Sequence, residues 1–464
     1  MLPIVTPAEM KLIDAEASES VDALIARAGS AVARAAVRML GGTYGRTVVV
    51  IAGPGNNGAD GRVAAQLLAA RGVRVSVIEA DALSDALSDA LSDAGRDAIH
   101  GADLVIDAAY GTGFHGEWHP PDVGDTPVLA VDIPSGVDGL TGEASGDVLA
   151  ATRTVTFAAL KPGLLVPPGS ELAGELQLAD IGLDVDHAHA HLVQQSDVVG
   201  WWPVRGADAH KWRWAVRVVA GSRTMTGAAN LVANAALRSG AGMVHVSVPG
   251  VLATALPVEV VQRELPAVGW AAEALASLDR FHAVVVGPGL GRSDDTTEQA
   301  RRFAIESPLP TVIDGDGLFA LAWNAQGAAA LLRQRVAATV LTPHDGEYAL
   351  LAGAPPDHDR LVAARRLAAD TGCIVLLKGP ASVIADPQGR TLVVTTGDPR
   401  LATAGTGDVL AGIIGTLLAA RVPAFEATAA AAWVHGQAAR LSPSAGMVAS
   451  DLAQHIPAVV QAFW

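Results

Sequence analysis

Apolar and polar positions alternate in two textures along the chain. Near the start, Thr6-Pro7-Ala8-Glu9 predicts a helix opening: a hydroxyl that can cap, a proline suited to the first turn, and a glutamate placed to reach back. Helical spacing continues, with a break near Ser18–Ser20, to about Leu40. From Thr47 the texture changes to short Val/Ile-rich runs at 48–52, 73–78, 104–106, 128–131 and 154–157, each ending at Gly or Asp and followed by helical spacing. Continuous apolar strands alternating with helices predict an α/β fold with a parallel sheet covered on both faces.

Residues 81–95 repeat the tetrapeptide Asp-Ala-Leu-Ser, which keeps Leu83, Leu87 and Leu91 on one face of an amphipathic surface helix. The alternation breaks between Gly182 and about Arg205, where His187, His189 and His191 would share one strand face. Three histidines so placed could hold a metal, but no cysteine or fourth ligand joins them, and a polar domain junction is the favoured reading. Strands resume at 216–220, 243–248, 283–286, 311–313, 339–341, 374–377 and 382–385. The pattern predicts two domains, residues 1–198 and 199–464, as suits a chain of 464 residues.

Charge and composition narrow the classes of partner. Lys and Arg number 32 against 48 Asp and Glu, a net charge of −16, so no chain-wide attraction to nucleic acid or an anionic membrane is expected. No apolar run is long enough to span a bilayer, and the start lacks a signal-peptide pattern. The single cysteine, Cys373, begins an apolar run, which predicts burial and suits a reducing cytoplasm.

The loop after the first strand, Gly53-Pro-Gly-Asn-Asn-Gly-Ala-Asp-Gly61, spells the dinucleotide-binding fingerprint, with Glu79 about twenty residues on. Asp60 argues against that use, because a carboxylate at the helix start repels a pyrophosphate; capping, or hydrogen bonding to sugar hydroxyls, suits it better. Ligands of open α/β sheets sit at the carboxyl ends of strands. Those ends carry Asn57, Asp107, Asp132 and Ser135, a set of hard oxygen donors suited to a weakly charged cation rather than zinc.

The ordered motifs GPGNNG-x-DG, D-x-x-x-GTG, DIPSG-x-D-G-x-TG and TF-x-x-x-KPG resemble the NAD(P)HX epimerase domain over roughly residues 5–195. That family inverts the hydroxyl-bearing C6 of hydrated NADH or NADPH. The resemblance implies a Rossmann-like three-layer fold, with potassium held by Asn57, Asp107 and Ser135. It places the substrate against Asn56, Asn57, Gly58, Ala59, Asp60, Gly111, Thr112, Gly113, Phe114, His115, Gly116, Glu117 and Asp132. Asp132 is the expected acid/base residue, since epimerising a carbinolamine-like carbon requires proton transfer. Lys161 is a second polar contact or a structural residue of its Lys-Pro-Gly turn. Ala59 stands where the family usually has glycine, which raises the question of its φ, and His115 where some members carry a longer basic side chain.

In the second half, Leu401 to Ala419 is a Gly-rich turn entering an apolar helix. Gly405 and Gly407 leave backbone N–H groups bare for a phosphate, and Asp408 is either an N-terminal cap or a base acting on a hydroxyl that attacks phosphorus. Together with VVVGPGLGRSDD, VIDGDGL, LTPHDGEYALL and VLLKGPASVIAD, this resembles the ADP/ATP-dependent NAD(P)HX dehydratase family, of ribokinase-like three-layer fold, from about His210 onward. The resemblance implies Asp408 as base. It lines the hydrated-cofactor site with Ala228, Gly289, Gly291, His344 and Asp408. It holds the adenine nucleotide with Lys378, Gly379, Pro380, Ala381, Ser382 and Gly407, and lets Glu347 position Mg2+ or phosphate through water. ADP is the implied donor, ATP the alternative; AMP and phosphate are the implied products with ADP. HKWRWAV, from His210 to Val216, departs from the family pattern with two tryptophans.

The expectation is a bifunctional repair enzyme acting on NADHX and NADPHX, homo-oligomeric, with no nucleic-acid or membrane partner. A ribokinase-like small-molecule kinase is the rival enzyme, and a binding scaffold the rival from another class.

Overall fold

The structure is a computed structural model and is described here for residues 1–80, 93–114, 116–322 and 327–464, residues 93–96 by backbone alone. Most of the Asp-Ala-Leu-Ser repeat lies outside the described residues, as does His115. Contacts divide the chain into two compact units, Leu2–His189 and Ala190–Trp464, the latter joined by Met1.

The N-terminal unit opens on strand β1 (Leu2–Ile4) and helix Pro7–Glu16, whose N-cap is Thr6 in a full capping box with Glu9. A second helix, Val21–Leu40, starts on the Ser20 cap and stops at left-handed Gly41. The sheet comprises β2 (Thr47–Ala52), β3 (Arg74–Glu79), β4 (Leu104–Ala108), β5 (Val128–Val131), β6 (Arg153–Phe157) and β7 (Glu175–Ala179). Its order is β3-β2-β4-β5-β6-β7, with every pair parallel. One face packs Val48, Val50, Leu104 and Ile106 against Ala31, Val32 and Ala35 of helix Val21–Leu40; the other packs Val49, Ile51 and Val105 with Ile99 and Trp118. The chain reverses direction across the sheet between β2 and β4, so their carboxyl ends open a crevice at Gly53–Asn57 and Asp107–Gly111.

The C-terminal unit begins within the segment read as a junction. There β8 (Ala190–Leu192) pairs in parallel with β17 (Thr391–Val394), which draws the segment into this unit. The other strands are β9 (Ala215–Val219), β10 (Met243–Ser247), β11 (Val261–Gln262), β12 (Ala283–Val286), β13 (Thr311–Ile313), β14 (Thr339–Leu341), β15 (Ile374–Leu377) and β16 (Ser382–Ala385). They run in the order β8-β17-β16-β15-β14-β13-β12-β9-β10-β11. Pairs from β14 to β11 are parallel, whereas β15-β16 and β16-β17 are antiparallel hairpin pairs. Helix Thr406–Ala419 is buried along its length from Val409, as a helix apolar on nearly every side must be. Cys373 is buried, and burial pushes its thiol up to about 11. Among the described residues no helix is long and apolar enough to cross a membrane, and no group of three metal-ligating side chains assembles, the 187–191 histidines included.

Candidate active sites

The glycine loop after β2 is shaped by close approach. Asn56 to Asp60 form the first turns of helix Asn56–Ala69, whose N-cap, Gly55, offers no side chain. A Cβ on Gly53 would lie 1.8 Å from the Ala109 carbonyl oxygen, and one on Gly58 would lie 1.9 Å from the Gly53 oxygen. These glycines let the helix start sit directly on the ends of β2 and β4. Ala59 lies inside the helix and is not among the residues of positive φ, so alanine is unstrained there. Glu79 is engaged by Arg62, which also donates to the Gly53 carbonyl at 2.9 Å. The acidic residue that a dinucleotide loop would turn toward ribose is here tied to the helix.

Three strand ends converge on this crevice. Asp107, fully buried, accepts from the Ser135 hydroxyl at 2.6 Å and the Ser135 N–H at 2.9 Å. Burial raises its carboxyl despite those bonds. The Ser135 oxygen also accepts from the Tyr110 N–H at 2.8 Å. Asn57 faces the same loop, its amide lying 3.6–3.7 Å from where a Cβ on Gly111 would be, and its buried Nδ2 has no hydrogen-bond partner. Turning that amide over would present an oxygen instead, and the two orientations are distinguished only by their surroundings. An amide oxygen, a carboxylate and a hydroxyl therefore form a donor set that fits a hard cation.

Asp132, at the end of β5, holds a left-handed backbone with φ 65. Its carboxylate accepts from Lys161 Nζ at 2.5 Å and Thr156 Oγ1 at 3.0 Å. Lys161 is buried, and it also donates to Thr156 Oγ1 and the Phe157 carbonyl. Burial, and then the Asp132 charge, push Asp60 up to about 8. One carboxyl is thus held by an ammonium while its electrostatic neighbour keeps its proton at neutral pH. Phe114 stacks on Tyr110 with centroids 4.1 Å apart, and Tyr110 meets Trp118 edge-on, forming an aromatic wall on the β4 loop. Gly111, Thr112, Gly113 and Gly116 lie on that loop, while Glu117 faces solvent beside His119. Asp14 was not singled out by sequence; burial raises its carboxyl while Lys161 lowers it.

The second site lies at the carboxyl ends of β12 to β15. Gly405, at φ 92, is the N-cap of helix Thr406–Ala419, and no side chain caps that end. A Cβ on Gly407 would lie 3.5 Å from both Asp314 Oδ2 and Lys378 Nζ, which fixes Gly407, Asp314 and Lys378 around one point. Lys378 donates to Asp314 at 3.0 Å and lies 3.5 Å from Glu347. Burial pulls its ammonium down, but Asp314 and Glu347 outweigh that and raise it. Asp408 is half-buried; burial and then Asp314 push it up to about 7, with Lys378 pulling the other way. His344 caps helix Asp345–Ala352, its Nδ1 accepting from the Gly346 and Glu347 N–H groups, and Glu347 completes the capping box. Gly289, at φ 62, lies against Ala228, and Gly291 donates its N–H to Asp316 at 2.8 Å. Pro380 is approached by Gly397, Ala381 is buried, and Ser382 starts β16. Sequence reasoning missed Arg360, which donates to the Lys378 carbonyl at 2.7 Å and pairs with Asp345. It also missed Thr342, which donates to Asp314 at 2.7 Å, and buried His435, whose Nε2 meets the Thr406 carbonyl at 2.9 Å. Thr342 lies in the LTPHDGEYALL stretch and His435 precedes Gly436, but no local pattern marks any of the three as a site group, and the fold brings them there.

Two families match the chain: the YjeF-related protein N-terminus over residues 21–163 and NAD(P)H-hydrate dehydratase over residues 216–461. The bifunctional NAD(P)H-hydrate repair enzyme of Mycobacterium leprae (strain TN) is 39% identical, covering 93% of each chain. Its counterpart in Moorella thermoacetica is 35% identical over 99% of this chain and 96% of its own. Among solved structures, an ADP/ATP-dependent NAD(P)H-hydrate dehydratase from Bacillus subtilis, co-crystallized with ATP/Mg2+, is 30% identical. It covers 58% of this chain and 98% of its own, with a TM-score of 0.51. A ribokinase-like superfamily protein from Enterococcus faecalis V583, 22% identical, shares the fold over 59% of this chain and 96% of its own, at a TM-score of 0.52.

Proposed function

The chain belongs to the bifunctional NAD(P)H-hydrate repair enzyme family, and we propose that each of its units carries one step of the repair on its own carboxylate centre. The enzyme acts as NAD(P)HX epimerase and as ADP/ATP-dependent NAD(P)HX dehydratase. The observation that carries the division of labour is the presence of two separate strand-end sites, Asp132 held by Lys161 and Asp408 beside Lys378 and Asp314.

In the N-terminal site, inversion at C6 requires the C–O bond to break with the ring-nitrogen lone pair and to re-form on the other face. The departing hydroxyl takes a proton and leaves as water; the water that adds gives one up. Asp60, protonated at neutral pH, suits the donor, and Asp132, held in place by the Lys161 Nζ at 2.5 Å, suits the acceptor. Asn57, Asp107 and Ser135 would hold potassium, whose charge favours a negatively polarised hydroxyl nearby.

In the C-terminal site, Asp408 accepts the C6 hydroxyl proton as that oxygen attacks the terminal phosphorus of the nucleotide. The bare helix N-terminus at Gly405–Gly407 and the Lys378 ammonium face the transferring phosphoryl group. Loss of phosphate with its C–O bond, and of a ring proton, then restores the dihydronicotinamide. Phosphate is a far better leaving group than hydroxide. Mg2+ would be held chiefly by the nucleotide phosphates, with Glu347 and Asp314 reaching it through water, since no all-protein cage exists among the described residues. ADP is the proposed donor, with AMP and phosphate as products; the hydrated-cofactor pocket is Ala228, Gly289, Gly291 and His344. A reducing cytoplasm suits the buried Cys373, and a homo-oligomer is the proposed assembly.

Incubating the purified protein with mixed NADHX epimers, with and without ADP or ATP, tests the reading. Complete conversion to NADH with equimolar phosphate is expected. Release of a stable phosphorylated product would instead make the second unit a small-molecule kinase.

A further inference from the structure

The C-terminal unit carries a second cleft at the opposite end of its central helix. Asp408 lies in the first turn of helix Thr406–Ala419, and the residues that follow its last turn, Ala420 and Arg421, line a cleft of about 580 Å³ with Arg205, His210, Arg213 and Trp214. A helix of 14 residues spans about 21 Å, so this cleft is separate from the dehydratase site.

Arg421 is the unusual member. It has φ 65, its N–H donates to the Leu418 carbonyl at 2.9 Å, and the Val422 N–H donates to the Leu417 carbonyl at 3.0 Å. That pair of bonds is the Schellman ending, where glycine is the ordinary occupant because a side chain is strained there. Among the described residues only Asp132 and Ala158 share a positive φ without being glycine, and Asp132 is a proposed catalytic group. Strain kept at such a position points to a use for the side chain rather than for the turn.

The surrounding charges agree. Among the described residues, Asp208 is the one acidic residue lining the cleft, and Arg213 engages it. Arg205 lies over the Trp214 ring, 5.1 Å from its centroid. His210 uses Nδ1 to accept the Trp212 N–H at 3.3 Å, which leaves Nε2 as the donor side of the ring. Burial, and then the Arg421 charge, hold nearby His282 below its ordinary value. Three arginines and a histidine thus gather in a chain of net charge −16. The helix end does not oppose an anion strongly, because the Schellman bonds occupy the Leu417 and Leu418 carbonyls.

We propose that this cleft binds a phosphorylated ligand, with Arg421, Arg213 and His210 holding its di- or triphosphate. The volume is that of a small-molecule site, and guanidinium forks match phosphate oxygens. A nucleotide and free inorganic polyphosphate are the two sources of that chemistry.

The test is calorimetric titration of the full-length protein with inorganic tripolyphosphate and, separately, with GTP. Wild type should show two classes of site, one of them at the dehydratase centre. Arg421→Gly should weaken only the other class, by at least about tenfold, and Arg213→Ala should weaken the same class. Glycine suits the left-handed turn, so Arg421→Gly should melt no lower than wild type and dehydrate NADHX at the wild-type rate. Tighter GTP than tripolyphosphate at the Arg421-dependent class assigns a nucleotide; equal affinity assigns inorganic polyphosphate. The absence of any binding class that weakens in both Arg421→Gly and Arg213→Ala overturns the proposal.

Discussion

Carboxyl groups that titrate near neutrality do so because burial and neighbouring charge oppose their ionisation, and Asp408 and Asp60 both sit in such surroundings. With Asp408 at about 7, the base form is lost as the pH falls, so kcat/KM for dehydration should drop tenfold per pH unit below about 7. Asp408→Asn should abolish that limb and slow dehydration by at least about a hundredfold. The linked effect on stability has the opposite direction. A carboxyl raised from 3.8 to about 8, as at Asp60, contributes stability that is fully present below pH 3.8 and is lost as the pH climbs to about 8. Asp60→Asn should therefore melt close to wild type at pH 4 and above it at pH 8, with a gap growing by at most about 1.4 kcal/mol per pH unit between. Thermal melts across pH check the sign. Lys161 is a different case: its buried ammonium pairs with the Asp132 carboxylate, and its removal strands a partly buried charge. Lys161→Met should cost about 3–5 kcal/mol and stop epimerisation, read by chemical denaturation and by chiral separation of NADHX.

At the scale of elements, the helix at Asn56 is fixed by contacts that admit no side chain. A Cβ at Gly58 would strike the Gly53 carbonyl, so Gly58→Ala must lever the helix away from β2 and should destroy the Asn57–Asp107–Ser135 arrangement. Ala59, one residue on, is an ordinary helical position. Ala59→Gly should lower stability by up to about 1 kcal/mol and leave the epimerisation rate unchanged, measured by denaturation and initial rates. These two neighbours show what was legible in the sequence. The Thr6 capping box, the break before Ser20, and most buried parallel strands could be read directly, because capping and apolar periodicity are local signals. Strand β7 was invisible because its residues are mostly half-exposed and lack a continuous apolar run. Strands β8, β11 and β17 are too short or too isolated in sequence to signal pairing, and β8 moves its segment into the C-terminal unit only through β17. At the sites, the glycine- and aspartate-bearing loops announced Asn57, Asp107, Asp132, Ser135 and Asp408. Arg360, Thr342 and His435 act through contacts 18, 28 and 29 residues away in sequence, which no local pattern encodes.

For the whole molecule, the pairing of the two activities has a kinetic consequence that follows from stereochemistry. A site that removes the elements of water after phosphorylating one hydroxyl must hold that hydroxyl on a single face of the ring, toward Asp408 and the nucleotide. The other epimer presents its hydroxyl on the opposite face, beyond reach of the same base. A mixed pool can then be cleared only as fast as one epimer becomes the other. On the proposed assignment that exchange belongs to the Asp132 site of the wild-type chain, so one continuous progress curve should run to complete recovery of NADH. Asp132→Asn keeps nearly the same volume and leaves the C-terminal unit untouched. Its curve should break in two: a fast phase at the wild-type rate, ending when the reactive epimer is exhausted, then a slow phase limited by uncatalysed exchange. Adding Asp408→Asn enzyme, which retains the first site, should merge the two phases again. Failure of that addition to restore the single curve, with both proteins folded, would remove Asp132 from the epimerisation step. An Asp132→Asn curve identical to wild type would do the same.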